Sequence, residues 1–316
     1  MRQVRELIEE YSDYKPILSA RHDFHSFWSH ALQELDRIEL NEKAEIIDYP
    51  IKQIQCEKVT YRGAYGTPIK GVFLKPKRRE QNLKCLIFFH GYNSSKGSIS
   101  QYMQWLIQDY AVLAVDCRGM GETGDDSCYG SGTLGSWATQ GLLDKKEYYY
   151  YKVYLDCKRA IDYCLTRPEI NPHKICLIGS SLGGGIALAV AALDSRPQLV
   201  VADVPNMCDL ELAIQLKTEG SLVFIENYLA RYPQYTEKVF ENLSYFDNVN
   251  FASNMKSQVR LSVALKDAVC PPKTIFGVYN LIPSEKTIEI YPFSTHNAPG
   301  SQEHIDKTLH YINTNL

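Results

Sequence analysis

From residue 85 onward, short and fully apolar runs alternate with longer stretches of helical spacing. The runs are Cys85–Phe89, Ala111–Val115, Ile175–Ile178, Leu199–Ala202, Val259–Leu265 and Thr287–Tyr291. Runs of this length without polar interruption predict strands buried on both faces, as in parallel sheets. Between 148 and 166, Val153, Cys157, Ala160, Ile161, Cys164 and Leu165 share one helical face. The order strand–helix–strand predicts an α/β protein with a doubly wound, mostly parallel sheet. Upstream the pattern differs. Residues 54–74 alternate, with Tyr65-Gly66-Thr67-Pro68 between two runs, which predicts a hairpin. In the charged N-terminal extension, residues 1–43, Phe24, Phe27, Trp28, Ala31 and Leu35 have the spacing of an amphipathic helix docked on the core.

Two stretches exceed a minimal α/β core. Residues 120–147 read as a long Gly- and Ser-containing loop. Residues 205–257 are a mixed helical insertion between two strands, where a lid or an assembly surface is expected. The whole chain, 1–316, reads as one domain carrying the extension and the insertion.

Composition narrows the function classes. Hydrophobic residues make up 45% and charged residues 22%, enough apolar material for a large core without staples. The formal net charge of −3 offers no basic face for nucleic acid. The run Lys75-Pro76-Lys77-Arg78-Arg79 is short and reads as a solvated loop. Nine cysteines, odd in number and without a C-x-x-C spacing, argue against a zinc site and a disulfide framework. They fit a reducing, cytoplasmic compartment. The first ten residues contain no apolar signal core, and the longest apolar run, Ile186–Leu193, is far too short to cross a bilayer.

The strongest chemical signal is Lys174-Ile175-Cys176-Leu177-Ile178-Gly179-Ser180-Ser181-Leu182-Gly183-Gly184-Gly185. An apolar strand enters G-x-S-x-G, and a small-residue helix follows, which is the context of a nucleophile elbow. Ser181 is the expected nucleophile. Gly179 and Gly183 would let strand and helix approach closely, and the helix N-terminus favours developing negative charge. Ser180 lacks the preceding glycine two positions back. The alternative, a phosphate cradle, lacks both G-x-G-x-x-G and the Walker Lys-Ser/Thr pair.

A serine hydroxyl needs a histidine to take its proton and a carboxylate to orient that histidine. In this architecture the order is Ser, acid, His, with the last two on loops after later strands. Asp267 ends the run Val259–Leu265 and is the expected acid; Asp247, inside the insertion, is the alternative. Of eight histidines, only His296 lies in a loop between the final strand and the final helix, and it is the expected base. The oxyanion hole requires backbone N–H donors after the nucleophile and in the earlier strand-end loop, which assigns Leu182 and Tyr92. His90 reads as a structural residue beneath that loop. No metal or organic cofactor is required by this chemistry.

The chain resembles the acetyl xylan esterase / cephalosporin C deacetylase family, carbohydrate esterase family 7, over nearly its whole length. The resemblance runs through Phe24–Trp28, His90-Gly91-Tyr92, Asp116–Gly121, Tyr154–Ala160, Gly179–Gly184, Asp267–Pro272 and His296. It implies an α/β-hydrolase fold and a Ser-His-Asp esterase that removes acetyl groups from acetylated xylo-oligosaccharides, other small acetylated sugars and cephalosporin C. It also implies a homo-hexamer, a trimer of dimers. Three family positions differ: Met120 and Leu182 each stand where the family has Gln, and Asn297 where it has Glu. These changes call into question the hydrogen bonding around Arg118 and the elbow. Competing readings are a serine peptidase of the prolyl oligopeptidase type, weakened by the lack of a propeller-sized N-terminal domain, a broad carboxylesterase, and a binding module that reuses the fold without catalysis.

Overall fold

A computed structural model describes residues 2–133, 135–216 and 219–316. Met1, Leu134, Lys217 and Thr218, in the expected extension, loop and insertion, lie outside the described residues. In chain order the elements are α1 (Arg2–Ser12), α2 (Phe24–Asp36), β1 (Lys43–Ile47), β2 (Ile54–Arg62), β3 (Pro68–Pro76), β4 (Leu83–Phe89), α3 (Met103–Leu106) and β5 (Tyr110–Val115). Then follow α4 (Tyr149–Thr166), β6 (Ile170–Ser180), α5 (Leu182–Leu193), β7 (Leu199–Asp203), α6 (Leu210–Gln215), α7 (Val223–Arg231), α8 (Thr236–Leu243) and α9 (Asn248–Phe251). The chain closes with β8 (Gln258–Ala264), α10 (Pro272–Leu281), β9 (Lys286–Tyr291) and α11 (Gln302–Asn315).

Each apolar run became a strand of one sheet, in the order β1-β2-β3-β5-β4-β6-β7-β8-β9. The strands from β5 to β9 along this order are parallel, and β1, β2 and β3 add an antiparallel edge. The expected hairpin is β2–β3, with Arg62 opposite Pro68. Alternate strand residues feed two core layers. Leu177, Val200 and Leu261 pack with α4, α5 and α10, whereas Cys176, Ile178 and Val201 pack with α3 and α11. This is an α/β-hydrolase architecture, with helices on both faces of a mostly parallel sheet.

The predicted helix of the extension is α2, and its five buried residues are Phe24, Phe27, Trp28, Ala31 and Leu35, as the spacing implied. The four large ones contribute about 6–12 kcal/mol of transfer free energy as an upper bound. Their partners come from α4, through Tyr151 and Tyr154, and from the far end of the insertion. The Trp28 indole N–H donates to Tyr245 O at 3.0 Å, and its ring lies 5.8 Å from that of Phe246 and 5.6 Å from that of Phe251.

The expectation of one apolar face on α4 needs correction. Residues 149–161 are all buried, including Lys152, Asp156, Lys158 and Arg159. Lys152 Nζ lies over the Tyr129 ring, 4.3 Å from its centroid, and the other charges are tolerated because they are matched. Lys158 Nζ lies 3.0 Å from Asp162 and 3.2 Å from Asp36, and Arg159 donates to the carbonyls of Ile38 and Arg62. Paired polar groups therefore disguise a helix that is enclosed almost all round.

Candidate active site

The elbow is built as its glycines require. Ser181 stands between β6 and α5 with φ 57° and ψ −122°, a conformation that costs a non-glycine residue about 1–3 kcal/mol. Three backbone hydrogen bonds hold it there: Ser181 N–H to Asp203 O at 2.9 Å, and Gly185 and Asn206 N–H to Ser181 O at 3.0 and 2.9 Å. A Cβ on Gly179 would lie 2.1 Å from Gly183 O, and one on Gly183 would lie 2.0 Å from Phe89 O. Both contacts are with backbone, which cannot swing aside, so any side chain here would separate strand from helix.

The loops after β8 and β9 bring Asp267 and His296 together. His296 Nδ1 lies 2.8 Å from Asp267 Oδ2, and the ring is half-buried while the carboxylate is enclosed. Asp267 Oδ1 accepts from the N–H groups of Val269 at 2.8 Å and Cys270 at 3.0 Å. The two loops are also joined by their backbones, with Leu265 N–H donating to Tyr291 O and Lys266 N–H to Ser294 O. Oδ1 is thus committed to the backbone and Oδ2 to the imidazole; a carboxylate acceptor at Nδ1 favours the Nδ1–H tautomer, leaving Nε2 to accept a proton.

Cys270 is the residue that sequence reasoning missed. Its buried thiol neighbours the Ser181 hydroxyl, and burial with the adjacent Asp267 pushes its pKa well up, so it stays protonated. Nothing in its spacing marked it out. Asp267, Cys270 and His296 bring one donor atom each within 4.8 Å of one another, the one such grouping among the described residues with the spacing to hold a metal ion.

The oxyanion candidates occupy the expected places. Leu182 opens α5, and Tyr92 follows β4. Neither of their N–H groups has a protein acceptor among the described residues. The Tyr92 loop is tied down at several points. Trp137 N–H donates to Tyr92 Oη at 3.1 Å; Lys96 N–H and Nζ both donate to the fully buried Asp116 at 2.6 Å. Beneath the loop, Cys117 N–H donates to His90 Nε2 at 3.0 Å, and His90 Nδ1 lies 2.8 Å from Gly91 O. His90 is spent on the backbone, as its position suggested.

Other candidates are placed elsewhere. Asp247 accepts from the N–H groups of Asp209, Leu210 and Val249, capping α9 and fixing the start of α6; it has no contact with His296. His22, His25, His30, His173 and His310 are exposed, and the buried His304 pairs with Asp203 at 3.0 Å.

The substituted positions leave the framework satisfied. Arg118 donates from Nε and Nη2 to both oxygens of Asp156 at 2.7 and 2.8 Å, from Nη2 to Ala64 O at 3.1 Å, and from Nη1 to Ser127 Oγ at 3.2 Å. Residue 120 is not needed for any of these, and Met120 packs in the core instead. Leu182 is likewise buried in the apolar layer, and Asn297 is exposed.

A serine on a strained strand–helix turn, an imidazole paired with a carboxylate and two N–H groups without a protein acceptor are the groups that a serine acyl-transfer site would use. Comparison with known proteins agrees with this chemistry. Residues 1–314 match the acetyl xylan esterase (AXE1) family. An acetyl xylan esterase structure from a Paenibacillus species is 37% identical, with a TM-score of 0.94, covering 98% of this chain and 99% of the other. Acetyl xylan esterase 1 from Thermoanaerobacterium is 28% identical, with a TM-score of 0.91, over 96% and 97% of the two chains. The acetyl esterase of Xylanibacter ruminicola is 26% identical over 291 residues, 89% of this chain; the chain spans 65% of that protein's length.

Proposed function

Because the chain belongs to the acetyl xylan esterase family, we propose that it hydrolyses acetyl esters of small carbohydrates by a Ser181–His296–Asp267 relay. The observation that carries this reading is the 2.8 Å His296–Asp267 pair presented beside a serine held at φ 57°. His296 Nε2 takes the Ser181 proton as the hydroxyl attacks the acetyl carbonyl. The N–H groups of Leu182 and Tyr92 hold the oxyanion, and the α5 dipole favours its charge. Collapse expels the sugar alkoxide, which takes the proton from His296. Water, deprotonated by the same imidazole, then releases acetate and restores Ser181. Ser181 and His296 share no hydrogen bond in this resting geometry; such bonds commonly tighten only when substrate is bound.

Ser181→Ala tests the assignment. Hydrolysis of p-nitrophenyl acetate should fall by about 10⁶-fold with an unchanged circular dichroism spectrum; a variant that still turns over ends the assignment. The proposed substrates are acetylated xylo-oligosaccharides, with cephalosporin C as a further ester. A series from acetate through butyrate to octanoate tests the small acyl pocket against a broad carboxylesterase. The same reading includes a homo-hexamer, which light scattering would report as six chain masses.

A further inference from the structure

On the face of the sheet that carries α3 and α11, the C-terminal ends of β4, β6 and β7 open into a cavity of about 420 Å³. That lies within the range of small-molecule sites. None of Ser181, Asp267, His296, Tyr92 or Leu182 lines it. The backbone at Gly91 stands between the cavity and the elbow, where a Cβ would lie 3.7 Å from Ser180 O and 3.9 Å from Ser181 Cβ. Register places Phe88, Ser180 and Asp203 on this one face, since Phe88 pairs with Ile178 and Ser180 with Asp203.

The lining has a definite chemistry. One wall is aromatic: the half-buried Phe88 ring lies 5.0 Å from that of Tyr102 and 6.2 Å from that of Trp105. The opposite wall is polar. Asp203 is 7% exposed, and its Oδ2 lies 3.0 Å from His304 Nε2, whose other ring nitrogen is 2.9 Å from Tyr291 Oη. Asp203 Oδ1 has no hydrogen-bond partner among the described residues. A buried carboxylate oxygen without a donor is costly unless a ligand supplies one. The cation lining the cavity does not do so, because Lys96 Nζ is held by Asp116 and Glu122.

We propose that this cavity is a second binding site, separate from the triad, for a neutral sugar ring. The apolar face of the ring lies on Phe88, and a hydroxyl donates to the Asp203 carboxylate, a rotation of that side chain bringing the enclosed Oδ1 to the cavity wall, with Ser180 beside it. An anion would face the free lone pairs of Asp203, and a purely apolar ligand would leave Oδ1 unpaired. The proposal stands on the cavity's own chemistry and is independent of the esterase reading.

The test uses the full chain with Ser181 capped by a p-nitrophenyl phosphonate, capping being verified by intact mass. Xylose and xylobiose binding is followed by saturation-transfer NMR. Binding should survive capping, and it should weaken about tenfold or more in Ile305→Trp, which fills the cavity from α11, and in Asp203→Asn. Ile305→Trp should keep wild-type turnover of p-nitrophenyl acetate. Sugar binding lost on capping, unchanged in Ile305→Trp, or absent from the unmodified protein overturns the proposal, as does preferential binding of an aliphatic ammonium. Failure of Ser181 to be capped counts against the esterase reading alone, and the Ile305→Trp comparison still decides this one.

Discussion

Asp267→Asn changes one atom of the site and has a consequence that the hydrogen bonds dictate. Asp267 Oδ1 accepts two backbone N–H groups, from Val269 and Cys270. An asparagine must therefore place its carbonyl oxygen there. The flipped amide would forfeit both bonds and press N–H against N–H, which costs about 1–3 kcal/mol per unsatisfied group. The amide NH₂ is thus driven to the position of Oδ2, 2.8 Å from His296 Nδ1. That nitrogen must then accept, so the ring proton moves to Nε2, which can no longer take the proton of Ser181. In serine proteases the same wrong-tautomer state lowers kcat by about 10⁴. At 1.36 kcal/mol per decade this is about 5.5 kcal/mol on the barrier. Because both backbone caps are retained, the melting temperature should barely move. The assay is kcat/KM for p-nitrophenyl acetate, alongside a thermal melt. A loss smaller than about tenfold in a folded variant would refute Asp267 as the orienting acid.

Three further outcomes follow from the geometry. Arg118→Met leaves the enclosed Asp156 without its cation and should cost about 3–5 kcal/mol by urea denaturation, with Arg118→Met/Asp156→Leu recovering most of it; a single-variant cost below about 1 kcal/mol would contradict this. Gly183→Ala drives a methyl group into Phe89 O and should cost about 1–3 kcal/mol while lowering turnover; unaltered kcat/KM would show that the strand–helix approach is not limiting. Burial pushes the Asp247 carboxyl from 3.8 up to about 7. The folded state then binds more protons than the unfolded one between these values, so this group's contribution to stability falls as pH rises through that window and is flat above it. A ¹³C titration of Asp247 should show a midpoint near 7, and one near 4 would reject the argument.

Much of the candidate site's arrangement was legible because its determinants are local. The elbow needs small residues at fixed offsets from Ser181, and Asp267 and His296 declare themselves by following predicted strands. The apolar runs announced β4 to β8 for the same reason, since each is buried on both faces; β9, at the sheet edge, formed as expected but is only partly buried. What escaped notice depends on contacts distant in sequence. Lys158 and Arg159 lie outside the apolar face read from the spacing of α4, and they are enclosed by the end of α2 and the carbonyls that follow it. Cys270 reaches Ser181 only through the fold. His304 looked like one more histidine in a terminal helix, yet it is buried against Asp203. The three family substitutions raised a question about Arg118 that its four hydrogen bonds, to Asp156, Ser127 and Ala64, answer without residue 120.

The docking of α2 against Tyr245, Phe246 and Phe251 also constrains the order of events during synthesis. The Trp28–Tyr245 bond joins residues 217 positions apart. At ribosomal rates of about 5–20 residues per second, a helix bearing Phe24, Phe27 and Trp28 waits roughly 10–40 s for the residues that cover it. Tyr151 and Tyr154 of α4 emerge part-way through that interval, but until Tyr245, Phe246 and Phe251 follow, the nascent chain displays an aromatic surface that is only partly covered.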